Sequence, residues 1–148
     1  MKRIIGWIAV LGWIIVIFSF SSQVANESNN LSTNVTEIVV ETVHKVVPDK
    51  EFDIVELNHY IRKNAHFFLY LILGLLLMNA LNENKSLLKK YITAAILMGG
   101  IVASSDEFHQ GFIPGRGPGI KDVFIDISGL FLGVIIYSLL IKKYKENF

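Results

Sequence analysis

Cysteine is absent from the 148-residue chain, which excludes disulfides, thiolate metal sites and cysteine nucleophiles. Charge is scarce too: Asp, Glu, Lys and Arg make up 18% of the residues against 52% hydrophobic ones, and the mean hydropathy is +0.48. A soluble domain carries more charge than this on its surface. Neither sign dominates, because 14 basic and 13 acidic residues leave a formal net charge of +1. The basic residues cluster near helix ends instead of lining one face, so nucleic acid is not expected as a partner. A removable signal peptide is not expected either. The first apolar run, Ile4 to Phe20, is long for such a signal and ends in Ser21-Ser22-Gln23 without a small-x-small cleavage pattern.

What the chain has instead is a set of long apolar runs. A helix rises 1.5 Å per residue, so crossing roughly 30 Å of hydrocarbon takes about 20 mostly apolar residues. The spacing predicts four spans, at about 4–23, 62–81, 91–110 and 122–141. The fold expected is all-α: one polytopic membrane domain over 1–148, built as a four-helix transmembrane bundle. Lys2, Arg3, Lys85, Lys89, Lys90, Lys142, Lys143 and Lys145 fall in compact clusters on one side of those spans, while the opposite loops carry most of the acids. Both termini are therefore expected in the cytoplasm. With that topology the polar residues that complete each span gather at the outer ends of the helices.

Between the first two spans, Val24 to His59 is polar and opens as a loop with Asn26-Glu27-Ser28-Asn29-Asn30. Val35, Ile38, Val39, Thr42, Val43 and Val46 then recur at helical spacing, with Asn34 and Glu37 as an N-cap pair and Pro48 as a stop. A short amphipathic helix is expected there, lying in the headgroup region or packed on the bundle. Asp53 is the expected cap of the segment leading into the second span.

Arg62, His66 and Tyr70 are four apart and share one helix face running from the interface inward. Arg62 and the adjacent Lys63 also suit plain snorkelling to headgroups. Asp106 and Gln110 share a face, with Glu107 beside them; a carboxylate within a span is costly unless paired, by at least about 2.5 kcal/mol at its centre. Asp122 and Asp126 are again four apart, and Gly129 and Gly133 behind them permit close helix contact, within the chain or between copies. The segment Phe112-Ile113-Pro114-Gly115-Arg116-Gly117-Pro118-Gly119 cannot be a regular helix. Pro-Gly favours a tight turn, and the planar fork of Arg116 beside open backbone suits a phosphate.

Three segments together resemble the VanZ-like membrane protein family. They are Ser21-Ser22-Gln23, the run from Arg62 through His66 and Tyr70 to Gly74, and the run from Asp106 to Arg116 with Asp122, Asp126, Gly129 and Gly133 after it. Relatives often carry an acidic residue where this chain has Leu69. The resemblance implies a protein of the bacterial cell membrane, in a family named for a protein associated with resistance to the glycopeptide teicoplanin; it implies no settled reaction.

Three functions compete. The favoured one is binding of an anionic lipid or cell-wall precursor at the outer leaflet through Ser22, Gln23, Arg62, Lys63, Gln110, Arg116, Asp122 and Asp126, with membrane lipids as the general partners. The second is an enzyme acting on a phosphate-bearing lipid, in which His66, Asp106 and Glu107 serve as acid and base. In that enzyme Asp106, Glu107, His109, Asp122 and Asp126 with His66 could instead hold a hard divalent metal, but their spacing matches no metal motif and no metal ligands are assigned. The third is a structural bundle without a ligand. No cofactor or oligomeric state is implied.

Overall fold

The computed structural model describes residues 2–23, 25–45, 54–81, 88–117 and 119–146. It is all-α among those residues: α1 (Lys2–Ser21), α2 (Ala25–His44), α3 (Ile54–Leu81), α4 (Leu88–Gln110) and α5 (Ile120–Glu146). Three of the helices are long and apolar enough to cross a membrane, over Arg3–Ser21, Tyr60–Leu81 and Ile120–Lys142. The 23-residue α4 does not join them on composition, because Lys89 and Lys90 open it and Asp106, Glu107, His109 and Gln110 close it.

The tightest pairing is α3 against α5, and small residues make it. A Cβ on Gly129 would collide with the carbonyl of Phe67, one on Gly133 with that of Leu71, and one on Gly74 with that of Leu130. Backbone therefore lies on backbone, the contact that small residues spaced four apart allow. The glycine pair serves a contact inside the chain. Around this seam Ile17 of α1, Leu73 and Leu77 of α3, Ala103 of α4 and Val134 of α5 form the fully buried core. The indole N–H of Trp13 ties α1 to α3 by donating to the Leu69 carbonyl at 2.8 Å.

Much of the outside of the molecule is apolar. Ile4, Ile8, Leu11 and Ile15 on α1, Leu97, Ile101 and Phe108 on α4, and Phe124, Leu139 and Leu140 on α5 are all exposed. Patches of this extent are not left to water.

The segment after α1 corrects the sequence reading. Asn26 to Asn30 is helical, and Asn34 lies inside α2 instead of capping it. The weak helix propensity of Asn and Ser, worth up to about 0.7 kcal/mol per residue, is outweighed by packing of α2 along α3. Of the two placements expected for it, packing of the apolar stripe on the bundle is not what is found: Thr36 is fully buried, while Val35, Ile38 and Val39 are exposed. The apolar stripe is thus turned toward the surroundings of the protein. The chain is already helical ahead of the second span, as expected: α3 begins at Ile54 and its membrane-crossing part is Tyr60–Leu81. Pro48 and Asp53 lie outside the described residues.

Candidate functional site

The C-terminal ends of α1 and α4 meet the N-terminal half of α3 and the start of α5 at one end of the molecule. Helical periodicity places each group there. On α1, Val10, Ile17 and Ser21 recur on the buried face, so it is the Ser21 hydroxyl that points inward, donating at 2.8 Å to Oδ2 of Asp106. Gln110, one turn after Asp106, donates to the same oxygen at 3.2 Å. Ser22, one residue on, is exposed; its hydroxyl bonds the Phe18 carbonyl and lies 3.0 Å from Nε2 of His109.

The connection from α4 to α5 is shaped by its Pro-Gly pair. Arg116 N–H donates to the Ile113 carbonyl at 3.0 Å across Pro114 and Gly115, and Gly115 has φ 78°. Proline at the second and a left-handed glycine at the third position define a type II turn. The turn aims Arg116 back across the site, where Nη1 donates to the Ser21 carbonyl at 3.1 Å and to Oε1 of Gln110 at 3.4 Å. Beyond it, the Gly119 amide donates to Oε1 of Glu107. A carboxylate from α4 thus receives an amide just ahead of the first turn of α5, where such groups lack helical partners and the helix dipole favours negative charge.

Lys63 and Asp122 form an ion pair at 2.7 Å. Nδ1 of His66 lies 3.7 Å from Oδ1 of Asp126, too far for a hydrogen bond. Asp126 and Asp106 are almost wholly buried, and neither oxygen of Asp126 has a hydrogen-bond partner. Oδ1 of Asp106, Oε2 of Glu107 and Nε of Arg116 are likewise buried without partners. Each such atom costs about 1–3 kcal/mol relative to a satisfied one.

Two adjoining spaces open from this cluster. A polar pocket of about 130 Å³ is lined by Arg62, Lys63, His66, Glu107, Gln110, Arg116, Asp122 and Asp126 with the Gly115–Gly117 backbone. An apolar groove of about 320 Å³ runs beside it between α1, α2 and α3, past Trp13, Phe20, Val35, Phe68 and Ile72. Arg62, His66 and Arg116 line both. Arg116 lies outside the helices; burial, and then the charge of Arg62, disfavour its cation, while Asp106 and Glu107 favour it.

Of the residues singled out from the sequence, Arg62, Lys63, His66, Glu107, Gln110, Arg116, Asp122 and Asp126 share the polar pocket. Asp106 lies behind it, bonded to Ser21. Gln23 lines the apolar groove instead, and Ser22 lines neither space. Ser21 was expected only within the Ser21-Ser22-Gln23 end of the first span, not as a site residue, and the Gly119 amide was not singled out within the Gly-rich segment. Ser21 was detectable from its place four residues after Ile17, on the face that holds Val10; nothing in the sequence marks the Gly119 amide.

A family model described as VanZ/LLP1 matches residues 6–141. No curated protein and no solved structure matches the chain.

Proposed function

The chain belongs to the VanZ/LLP1 family, and from that premise we propose that it binds an anionic, phosphate-bearing amphiphile, a lipid or cell-wall precursor, at the outer leaflet of the bacterial cell membrane. The observation that carries this reading is the sharing of Arg62, His66 and Arg116 between a polar pocket and an apolar groove. One space suits a headgroup and the other an acyl or prenyl chain, with the two guanidinium groups at their junction. Two guanidinium groups that disfavour each other across one pocket are stabilised together by an anion between them. The polar pocket, of about 130 Å³, has room for a phosphate group.

In this reading α4 is the fourth span. Leu97 and Ile101 expose about two thirds of their surface, which suits lipid, and its polar end is sealed within the cluster. Both termini then lie in the cytoplasm and the pocket opens outward. The outward stripe of α2, Val35, Ile38 and Val39, rests among lipid headgroups and chains. Reduced glycopeptide susceptibility would follow from sequestering or screening such a precursor.

The test is saturable uptake of a labelled long-chain phosphatidic acid by the purified protein in detergent, with phosphatidylcholine and free inorganic phosphate as competitors. Expected are displacement by unlabelled phosphatidic acid alone and loss of uptake in Arg116→Ala. Equal displacement by phosphatidylcholine would remove the headgroup reading, and displacement by inorganic phosphate alone would remove the lipid.

One observation favours a catalytic variant of the same reading. Oε2 of Glu107 is partnerless in a pocket wall that also holds His66, which supplies a proton acceptor and donor beside the proposed phosphate. Turnover of the labelled lipid by wild-type protein and its loss in Glu107→Gln would establish an enzyme.

A further inference from the structure

We infer that His66, Asp106 and Asp126 form a binding site for a single divalent first-row transition-metal cation, of the Mn²⁺, Fe²⁺ or Zn²⁺ class, at the floor of the polar pocket. The three residues come from α3, α4 and α5, and each offers one ligand atom such that all three atoms lie within 4.8 Å of one another. At metal–ligand bonds of about 2.1 Å, neighbouring ligands sit roughly 3 to 3.5 Å apart. The His66 to Asp126 separation of 3.7 Å is already close to that, and a separation at the 4.8 Å limit would close by about 1.3–1.8 Å, shared between two side chains.

Three features point to a cation here. Asp106 and Asp126 are 0% and 1% exposed, so two carboxylates are held together away from water, where like charge is least tolerable. Neither oxygen of Asp126 nor Oδ1 of Asp106 has a well-formed hydrogen bond, the buried Tyr70 hydroxyl being the donor that approaches Asp106. Finally, Asp106 is oriented from behind: Ser21 and Gln110 both donate to Oδ2, which leaves Oδ1 for another partner, as outer groups orient a metal-binding carboxylate. Of the cations lining the pocket, Lys63 is paired with Asp122 and Arg116 is bonded to Ser21 and Gln110.

One imidazole nitrogen and two carboxylates suit Mn²⁺, Fe²⁺ or Zn²⁺ better than Ca²⁺, which takes six to eight oxygens. His66 and Asp126 line the pocket while Asp106 lies behind them. The open coordination positions of the ion would therefore face the pocket. This inference stands apart from the lipid reading, since the cluster binds the ion with or without an amphiphile present.

The experiment uses the full chain, purified in detergent, stripped with chelator and titrated with Mn²⁺ alone, following the loss of the free-ion electron paramagnetic resonance signal. Expected is one saturable site per chain whose pulsed spectrum shows coupling to an imidazole nitrogen. Asp126→Asn and Asp106→Asn, each checked for helical content, are expected to weaken binding at least tenfold, and Glu41→Gln on the exposed face of α2 to leave it unchanged. The site is overturned by absence of saturable binding, by bound Mn²⁺ without nitrogen coupling in the wild type, or by wild-type affinity in folded Asp126→Asn. The nitrogen coupling decides even where a variant fails to fold. Phosphatidic acid uptake by the stripped wild type reports on the lipid reading alone.

Discussion

The seam between α3 and α5 and the polar end of the same bundle solve opposite problems. Along the seam Gly74, Gly129 and Gly133 bring backbone onto backbone with no space for another carbon. A few residues away, Asp106, Glu107, Arg116 and Asp126 leave buried polar atoms without partners beside a pocket. The seam makes stability and leaves no vacancy; the polar end gives some stability up. Such a cost is tolerated where a ligand repays it, which is why the polar end and not the seam is the place to look for function.

Substitutions in the seam test the first half of that contrast and have the largest expected effect. Gly129→Ala and Gly133→Ala each force α5 away from the Phe67 and Leu71 carbonyls. Each is expected to cost about 1–3 kcal/mol or more, with the double variant failing to yield folded protein, as read by thermal denaturation in detergent. A tolerated double variant would mean the two helices are not in contact as described.

Arg116→Ala tests the second half. The expected result is at least tenfold weaker uptake of phosphatidic acid, with a fall in melting temperature much smaller than that of the glycine variants, because Arg116 is only part-buried. If uptake and stability fell together in a fixed proportion, the polar end would be a second structural seam and the bundle reading without a ligand would stand.

Ser21→Ala and Ser22→Ala sharpen the comparison within two adjacent residues. Ser21 donates to the buried Asp106 carboxylate, and its loss should cost about 1–3 kcal/mol. Ser22 is exposed, so its loss should stay within about 0.5 kcal/mol. Melting curves of the two variants, run side by side, give the difference.

Three of the four expected spans, the placing of Arg62 and His66 on one face, and the Pro114-Gly115 turn were legible because each depends on local spacing. Of helix α2 the half from Val35 onward was legible and the Asn-rich start was not, since packing of the helix on α3 outweighs the weak propensity of that start. Its orientation was hidden for a related reason: an apolar stripe points inward in water but outward beside lipid, and the stripe alone does not say which solvent applies. Within the site, the assignment of Lys63 to Asp122, His66 to Asp126 and Arg116 to Ser21 depends on how four helix ends rotate against one another. Residue spacing within each helix holds no information on that rotation. The same one-residue register made Ser21, and not Ser22, the inward hydroxyl.

Absence of native cysteine makes one residue a clean reporter for the whole proposal. Gly117 lines the polar pocket, and a side chain there meets nothing within 4 Å, so Gly117→Cys places a lone thiol at the pocket mouth. In intact cells a membrane-impermeant maleimide should label it, and in proteoliposomes phosphatidic acid should slow the labelling several-fold while phosphatidylcholine does not. Labelling only after the cells are opened, or a rate indifferent to phosphatidic acid, would contradict an outward-facing pocket for an anionic headgroup.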